Sequence, residues 1–275
     1  MSARRHFKFY ANSATILPVK ISAVIIAFNE ESRIADGIAS VKWADEIIVV
    51  DSESTDRTRL IAEGLGAKVI VNKWPGFAAQ KQLGTDAAQN DWIFSLDADE
   101  RVSDKLRDEI LEIRDRDGGP DSDGYKIPRL TFYMGRAIRH SGWYPDWQLR
   151  LFDRRKGRWK NVQVHESVEM APDARTRRLK CEIEHFSIEN SAHHHKILGE
   201  RYAPLAARQM YDDGRRTSSF KVAISGPAAF IRAFILKLGF LDGFPGYCIA
   251  KFAAHHAFLK HTLLWEMQHS DTEKQ

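Results

Sequence analysis

The residues with the clearest chemical content are Asp97 and Asp99, in the stretch WIFSLDADE (92–100). An apolar run leads into two carboxylates one residue apart, with Glu100 beside them. Side chains two positions apart on an extended chain point to the same side, so this spacing predicts that the pair lies together. Two oxygen donors make half a site for a hard cation such as Mg²⁺ or Mn²⁺, which completes its shell with water and substrate phosphates. The plainer reading is a solvated turn whose aspartates cap the helix that Ser103 begins. Short acidic motifs arise by chance, so the pair gains meaning only from its surroundings.

Those surroundings are short apolar runs alternating with amphipathic stretches. VKISAVIIAF (19–28), EIIVVD (46–51), AKVIV (67–71) and DWIFSLD (91–97) read as buried strands. Between them, EESRIADGIASV (30–41) places Ile34, Ile38 and Val41 on one helical face. TDRTRLIAEGLG (55–66) is a helix ending in glycine, and FAAQKQLGTDAAQ (77–89) is a helix weakened by Gly84. Ser103 caps a helix carrying Leu106, Ile110 and Ile113. This alternation predicts a parallel sheet covered on both faces, with ligands at the carboxyl ends of its strands. The first, second and fourth strands then deliver Asn29, Glu30, Glu31, Asp51, Ser52, Asp97 and Asp99 to one rim. Gly64-Leu65-Gly66 follows a helix and precedes a strand, the reverse of a dinucleotide-binding turn, and reads as a helix end.

After DRDGGPDSDG (115–124) the helical rhythm breaks. Residues 124–187 are rich in aromatic and β-forming types and predict mixed or antiparallel strands added to the sheet. From about residue 189 the chain turns helical. A chain of 275 residues, 43% hydrophobic and 28% charged, accommodates one large domain or one domain with an appendage. The net charge of +4 is too small to argue for nucleic acid, and suits an acidic substrate or an anionic membrane surface. Two separated cysteines, Cys181 and Cys248, give neither a zinc site nor a disulfide framework and fit a reducing cytoplasm. Residues 1–18 read as a basic arm without the apolar core of a secretory signal.

VIIAFNEE, VVDSESTDRT and FSLDADE, in that order, resemble the nucleotide-sugar domain of the family 2 glycosyltransferases over residues 20–113. The resemblance implies the GT-A fold: an α/β, mixed and mostly parallel sheet flanked by helices. It implies that Phe28, Asn29 and Glu30 line the nucleotide, with Glu30 near the ribose. Asp51 would hydrogen-bond the uracil of a UDP-sugar. Asp97 would contact the ribose or a metal-bound water, and Asp99 would ligate the divalent cation, Mg²⁺ or Mn²⁺. SGWYPDWQLRLFDRR (141–155), VQVHESV (162–168), IEHFS (183–187) and LGFLDGFPG (238–246) are similar to the lipopolysaccharide core β-glucosyltransferase subgroup. The expected layout is a GT-A domain over 19–188, divided into a nucleotide-sugar half (19–115) and an acceptor half (116–188). A helical region follows over 189–275.

Family members invert the anomeric centre, so a general base must take a proton from the acceptor hydroxyl. The acidic pair many members use is not evident here. Glu166 is the leading candidate and Asp146 the alternative. His185 either completes the metal shell or is a core histidine. Arg150 either grips the diphosphate or makes a plain ion pair. His193, His194 and His195 point in different directions on a helix and make a poor single site. The expected reaction moves a sugar, glucose in the first instance, to a lipid-linked glycan such as lipopolysaccharide core. A nucleotidyltransferase is disfavoured because AFNEESR has no glycine until Gly37. A catalytically inactive GT-A domain that binds nucleotide or scaffolds a membrane complex is the remaining alternative.

Residues 220–244 and 247–265 are strongly apolar yet carry Lys221, Arg232, Lys237 and Asp242. A spanning helix resists an Arg or Lys at its centre by roughly 2.5–3.5 kcal/mol each on insertion scales. An interfacial helix accommodates them on a polar face. In-plane docking on the inner face of the cytoplasmic membrane is therefore expected, against the alternative of a helical tail packed on protein.

Overall fold

The structure is a computed structural model and describes residues 18–160, 166–188 and 190–270. The basic arm expected at 1–18 thus lies, except for Pro18, outside the described residues, as does VQVH (162–165) in full.

Ten strands form one sheet. Its N-terminal part contains β1 (Ile21–Ala27), β2 (Glu46–Asp51), β3 (Lys68–Val71) and β4 (Trp92–Asp97), in spatial order β3-β2-β1-β4 and all parallel. β1 and β4 are buried almost throughout, as strands covered on both faces must be. The helices between them are α1 (Ile34–Ser40), α2 (Thr58–Gly64) and α3 (Phe77–Ala87). α1 begins later than its apolar pattern predicts. Residues 30–33 form a turn in which the Glu30 carbonyl accepts the Arg33 and Ile34 amides, and this frees the start of the segment to bind the β2 loop.

Gly84 does not weaken α3. A Cβ there would lie 2.3 Å from Val24 Cγ1 and 2.8 Å from Val50 Cγ2, so glycine is what lets the helix approach the sheet. The short β5 (Glu100–Val102) and α4 (Asp104–Arg114) follow, with the Ser103 hydroxyl accepting the Leu106 amide as the expected cap.

The following segment adds β6 (Gly124–Tyr133), β7 (Arg136–Ala137), β8 (Asp146–Asp153), β9 (Gly157–Trp159), β10 (Val168–Met170), β11 (Thr176–Arg178) and β12 (Ile183–His185). The large sheet continues β4-β8-β6-β12-β5, and β8 runs antiparallel to both β4 and β6. β9 and β10 form a separate antiparallel pair. Four helices close the chain: α5 (Ser191–Ile197), α6 (Ala203–Asp212), α7 (Ser219–Ile231) and α8 (Gly243–Ser270). α7 runs on through a π-helical turn (Arg232–Leu236) and a 3-10 turn (Gly239–Asp242) into α8.

Candidate active site

Register places the acidic strand ends on one rim. Ala27 is the partner of Asp51, and Ile26 of Asp97, so β1, β2 and β4 finish level. The β1 and β2 loops are stitched together there. The Asn29 amide donates to Ser54 Oγ (2.9 Å), the Glu30 amide to Thr58 Oγ1 (2.8 Å), and the Thr55 amide to Asn29 Oδ1 (2.8 Å). Asn29 and Glu53 take positive φ, 54° and 61°, in these turns. Phe28 stands exposed beside them, and Glu30 pairs with Arg33 at 3.1 Å.

Asp51 is fully buried. Its Oδ1 accepts the Ser54 amide at 2.9 Å and lies 3.8 Å from Arg59 Nε. Its Oδ2 is buried without a hydrogen-bond partner. Leaving a buried acceptor unsatisfied costs about 1–3 kcal/mol, so this oxygen is a strained feature unless a ligand answers it.

Asp97 and Asp99 do not lie side by side on an extended chain. β4 stops at Asp97 and Ala98-Asp99 turn before β5, so the period-two argument fails at this point. The two carboxylates find different partners. Asp97 Oδ2 accepts Arg150 at 2.8 Å, while Lys81 Nζ sits 2.9 Å from Oδ1 as an ion pair off the hydrogen-bond axis. Burial opposes the charge on Asp97, yet the Arg150 and Lys81 cations hold its carboxyl far below the usual range. Asp99 Oδ2 instead lies 3.4 Å from His185 Nε2. The other ring nitrogen of His185, Nδ1, is 3.1 Å from Thr131 Oγ1. A proton on Nδ1 donated to Thr131 leaves Nε2 as the lone-pair donor, the arrangement by which an outer partner orients a metal-binding histidine.

Arg150, expected to grip a diphosphate or make a plain surface pair, makes ion pairs, but buried ones. It is buried and bridges Asp97 to Glu100 Oε1 (2.6 Å). Burial disfavours its charge, but the two carboxylates raise its pKa above the ordinary value. Glu100 also approaches Arg129 (3.4 Å), and Arg129 grips Asp146 through Nε (2.9 Å) and a terminal nitrogen (2.6 Å). On the other side, Lys81 reaches Glu166 Oε1 at 3.4 Å and lies 5.0 Å from the Trp159 ring centre. A continuous chain of ion pairs therefore runs Glu166–Lys81–Asp97–Arg150–Glu100–Arg129–Asp146. It ends at one candidate base on each side. Glu166, Lys81, Arg129 and Trp159 line a cleft of about 780 Å³ together with Trp147 and Lys126.

Lys81 is the residue the sequence reading overlooked. It is only 2% exposed and shares the buried face of α3 with Ala78 and Thr85. A lysine at a core-facing helical position was the available signal. Glu100 was noted beside the aspartate pair, but its links to Arg150 and Arg129 depend on strand order that local pattern does not carry.

Among the described residues no cluster of three or more His, Cys, Asp and Glu could hold a metal. Mg²⁺-type ions are usually held by one or two carboxylates plus substrate phosphates rather than by an all-protein cage. Asp99 with the oriented His185 fits that pattern. Asp97, with a cation against each oxygen, does not fit a direct ligand. The histidine triplet diverges as expected: His194 is buried, 4.1 Å from the Phe252 ring centre, and His195 faces His255 at 5.3 Å.

The chain matches the family model Glycosyl transferase family 2 over residues 22–171. It is 32% identical over 264 residues to an uncharacterized glycosyltransferase of Rickettsia bellii, covering 92% of this chain and 88% of that one. It is 29% identical over 247 residues to the lipopolysaccharide core biosynthesis glycosyltransferase LpsC of Rhizobium meliloti, covering 87% and 89%. A solved glucosyl-3-phosphoglycerate synthase of Mycobacterium tuberculosis, bound to Mn²⁺ and UDP, is 27% identical over 42% of this chain and 45% of that one, with a TM-score of 0.34. The family model and the Rickettsia relative place the class: an enzyme that transfers sugars. This chain belongs to glycosyl transferase family 2, and its sheet is that of the GT-A fold.

Proposed function

We propose that this glycosyltransferase moves a sugar, with inversion, from a UDP-sugar to a lipid-linked glycan acceptor, with a divalent cation at Asp99 and His185. The observation that carries the donor reading is Asp51 Oδ2, a buried acceptor without a partner at the end of β2. A uracil imide N–H supplies the missing donor. Arg59, partly exposed beside the other oxygen, is a side chain that an entering base can displace. Asn29 and Glu30 then flank the nucleoside from the β1 loop, with Phe28 exposed next to them. The likeness to LpsC supports a lipopolysaccharide core acceptor, with glucose as the first donor sugar to test.

The bound cation supplies positive charge to the departing diphosphate. The protein does the rest. Glu166 faces the cleft and accepts the proton of the acceptor hydroxyl as its oxygen attacks the anomeric carbon. The bond from that carbon to the UDP oxygen breaks on the opposite face, which inverts the centre. Lys81 anchors the Glu166 carboxylate to the donor side through Asp97. Asp146 is the second candidate base, since it opens β8 beside the same cleft, but Arg129 already grips it.

Calorimetric titration of UDP, CDP and GDP into the enzyme tests the donor reading. UDP binding that is preferred over the other two and lost in Asp51→Ala supports it. Equal affinity for all three, or unchanged UDP binding in the variant, refutes it.

A further inference from the structure

The C-terminal helices turn their apolar side the wrong way for an element in water. In α7 and the π-helical turn after it, Phe220, Ile224, Ile231 and Ile235 recur at helical spacing and all face outward. The buried positions are small residues, Gly226 and Ala233. A Cβ at Gly226 would come within 3.3 Å of the Ala254 carbonyl on α8. The turn between the helices extends the patch with Leu236, Leu238, Phe240, Leu241 and Phe244. Phe220, Leu236 and Phe244 are 72%, 71% and 69% exposed. Half of the exposed large hydrophobic side chains among the described residues lie in this segment, 220–247.

The charges around the patch have one sign. Between residues 214 and 265 Asp242 is the only acidic residue, and it is buried. Arg215, Arg216, Lys221, Arg232, Lys237 and Lys251 are all exposed. An apolar stripe rimmed by cations matches an anionic lipid surface, with acyl chains for the stripe and headgroups for the rim.

We infer that α7 and the following turn form a docking face that lies in the plane of an anionic bilayer. The segment Ser219–Leu236 is long and apolar enough to cross a membrane, with mean hydropathy 1.4. Its inner side nevertheless packs along α8. The Thr217 amide donates to Gln268 Oε1 at 2.6 Å, and Phe230 meets Tyr247 at 5.9 Å. The opposite side of α8 lines a cavity with Trp143 and Ile188 of the catalytic domain through Ile249, Phe252 and His256. A spanning α7 would have to leave α8, whereas an in-plane α7 keeps every one of these contacts.

The docking face is also bolted to the acceptor half. Asp242 accepts the Arg139 amide (3.2 Å), the His140 amide (2.9 Å) and the His140 ring nitrogen Nδ1 (2.9 Å). The Ser141 amide donates to the Lys237 carbonyl at 2.9 Å. Residues 136–142 follow β6, whose Lys126 and Arg129 line the cleft. Docking therefore fixes the height and tilt of the cleft above the lipid. This surface rests on the C-terminal helices alone and does not depend on the donor reading.

The test is co-sedimentation of the full chain with vesicles of phosphatidylcholine, alone or mixed with phosphatidylglycerol. The expected result is binding to the mixed vesicles, weakened by salt, and lost at least about tenfold in Ile231→Glu/Ile235→Glu. Thermal melting and light scattering of the free variant check its fold and mass. Should it not fold, Lys221→Gln/Lys237→Gln gives a second reading through weaker binding to anionic vesicles alone. The inference is overturned if the wild type ignores both vesicles or if the folded variants bind as well as the wild type. It is also overturned if the substitutions split a dimer, which would make the occupant a second copy, or if bound protein resists alkaline carbonate as a spanning protein does.

Discussion

Lys81 Nζ and Asp97 Oδ1 lie 2.9 Å apart, joining the middle of α3 to the end of β4 beneath the acidic rim. The lysine also reaches Glu166, so one buried cation ties the acidic rim to the cleft that Glu166 lines. Its removal strands Asp97 against Arg150 alone and frees Glu166. Breaking one partner of a buried pair typically costs about 3–5 kcal/mol. Lys81→Met is thus expected to lower the melting temperature and to reduce turnover with little change in UDP affinity. Denaturant unfolding and steady-state kinetics together check this; a variant as stable and active as wild type contradicts the role.

Arg150 bridges Asp97 and Glu100 from a buried position, so Arg150→Leu leaves two carboxylates short of a partner. Stability is expected to fall by roughly 3–5 kcal/mol. The pH dependence has a definite sign. Folding depresses the Asp97 pKa, so its contribution is full above the ordinary value of 3.8 and is lost as pH falls below it. Urea unfolding between pH 7 and pH 3 should show wild-type stability dropping at the acid end, with a shallower drop in the variant.

His194 shows the same logic with an imidazole. Burial first, then the neighbouring His193, lower its pKa from 6.5 to about 4. A neutral buried histidine contributes fully above 6.5, and its contribution fades as pH falls from 6.5 toward 4. The full effect is on the order of 3 kcal/mol. His194→Phe should flatten stability across that window, as measured by melting temperature; an unchanged pH profile would count against the assignment.

Gly84 is a packing requirement. Ala at this position would force a Cβ against Val24 and Val50, and overpacking of this kind costs about 1–3 kcal/mol. Gly84→Ala is expected to destabilise even though alanine is the better helix former, and chemical denaturation decides the sign.

Glu166 and Asp146 make different predictions as bases. Glu166→Gln should cut turnover by about 10²–10⁴ while UDP binding persists, the range for loss of a general base. Asp146→Asn should act chiefly through Arg129, lowering stability more than rate. The reverse pattern in parallel kinetics and melts would move the base to Asp146.

The fold from β1 to α4 was legible because each strand and helix carries its own period. The edges of β2, the buried runs of β1 and β4 and the Ser103 cap all follow from local pattern. The acidic rim was legible for the same reason, since parallel strands of known direction end together. What local pattern could not give is pairing across the sheet. Arg150 sits on β8, which lies beside β4 although 53 residues separate Arg150 from Asp97. The turn at Ala98-Asp99 was only the alternative reading, because two carboxylates two apart fit an extended chain equally well and a strand resumes at Glu100. Lys81 was hidden inside a helix whose small residues drew attention to Gly84 instead.

The most direct test of the account is UDP release from a panel of UDP-sugars with Mg²⁺ or Mn²⁺, repeated with EDTA, on wild type and Asp99→Asn. The account predicts slow turnover of one donor, abolished by EDTA and in the variant, while the variant melts as the wild type does. Turnover that survives both EDTA and Asp99→Asn would contradict it.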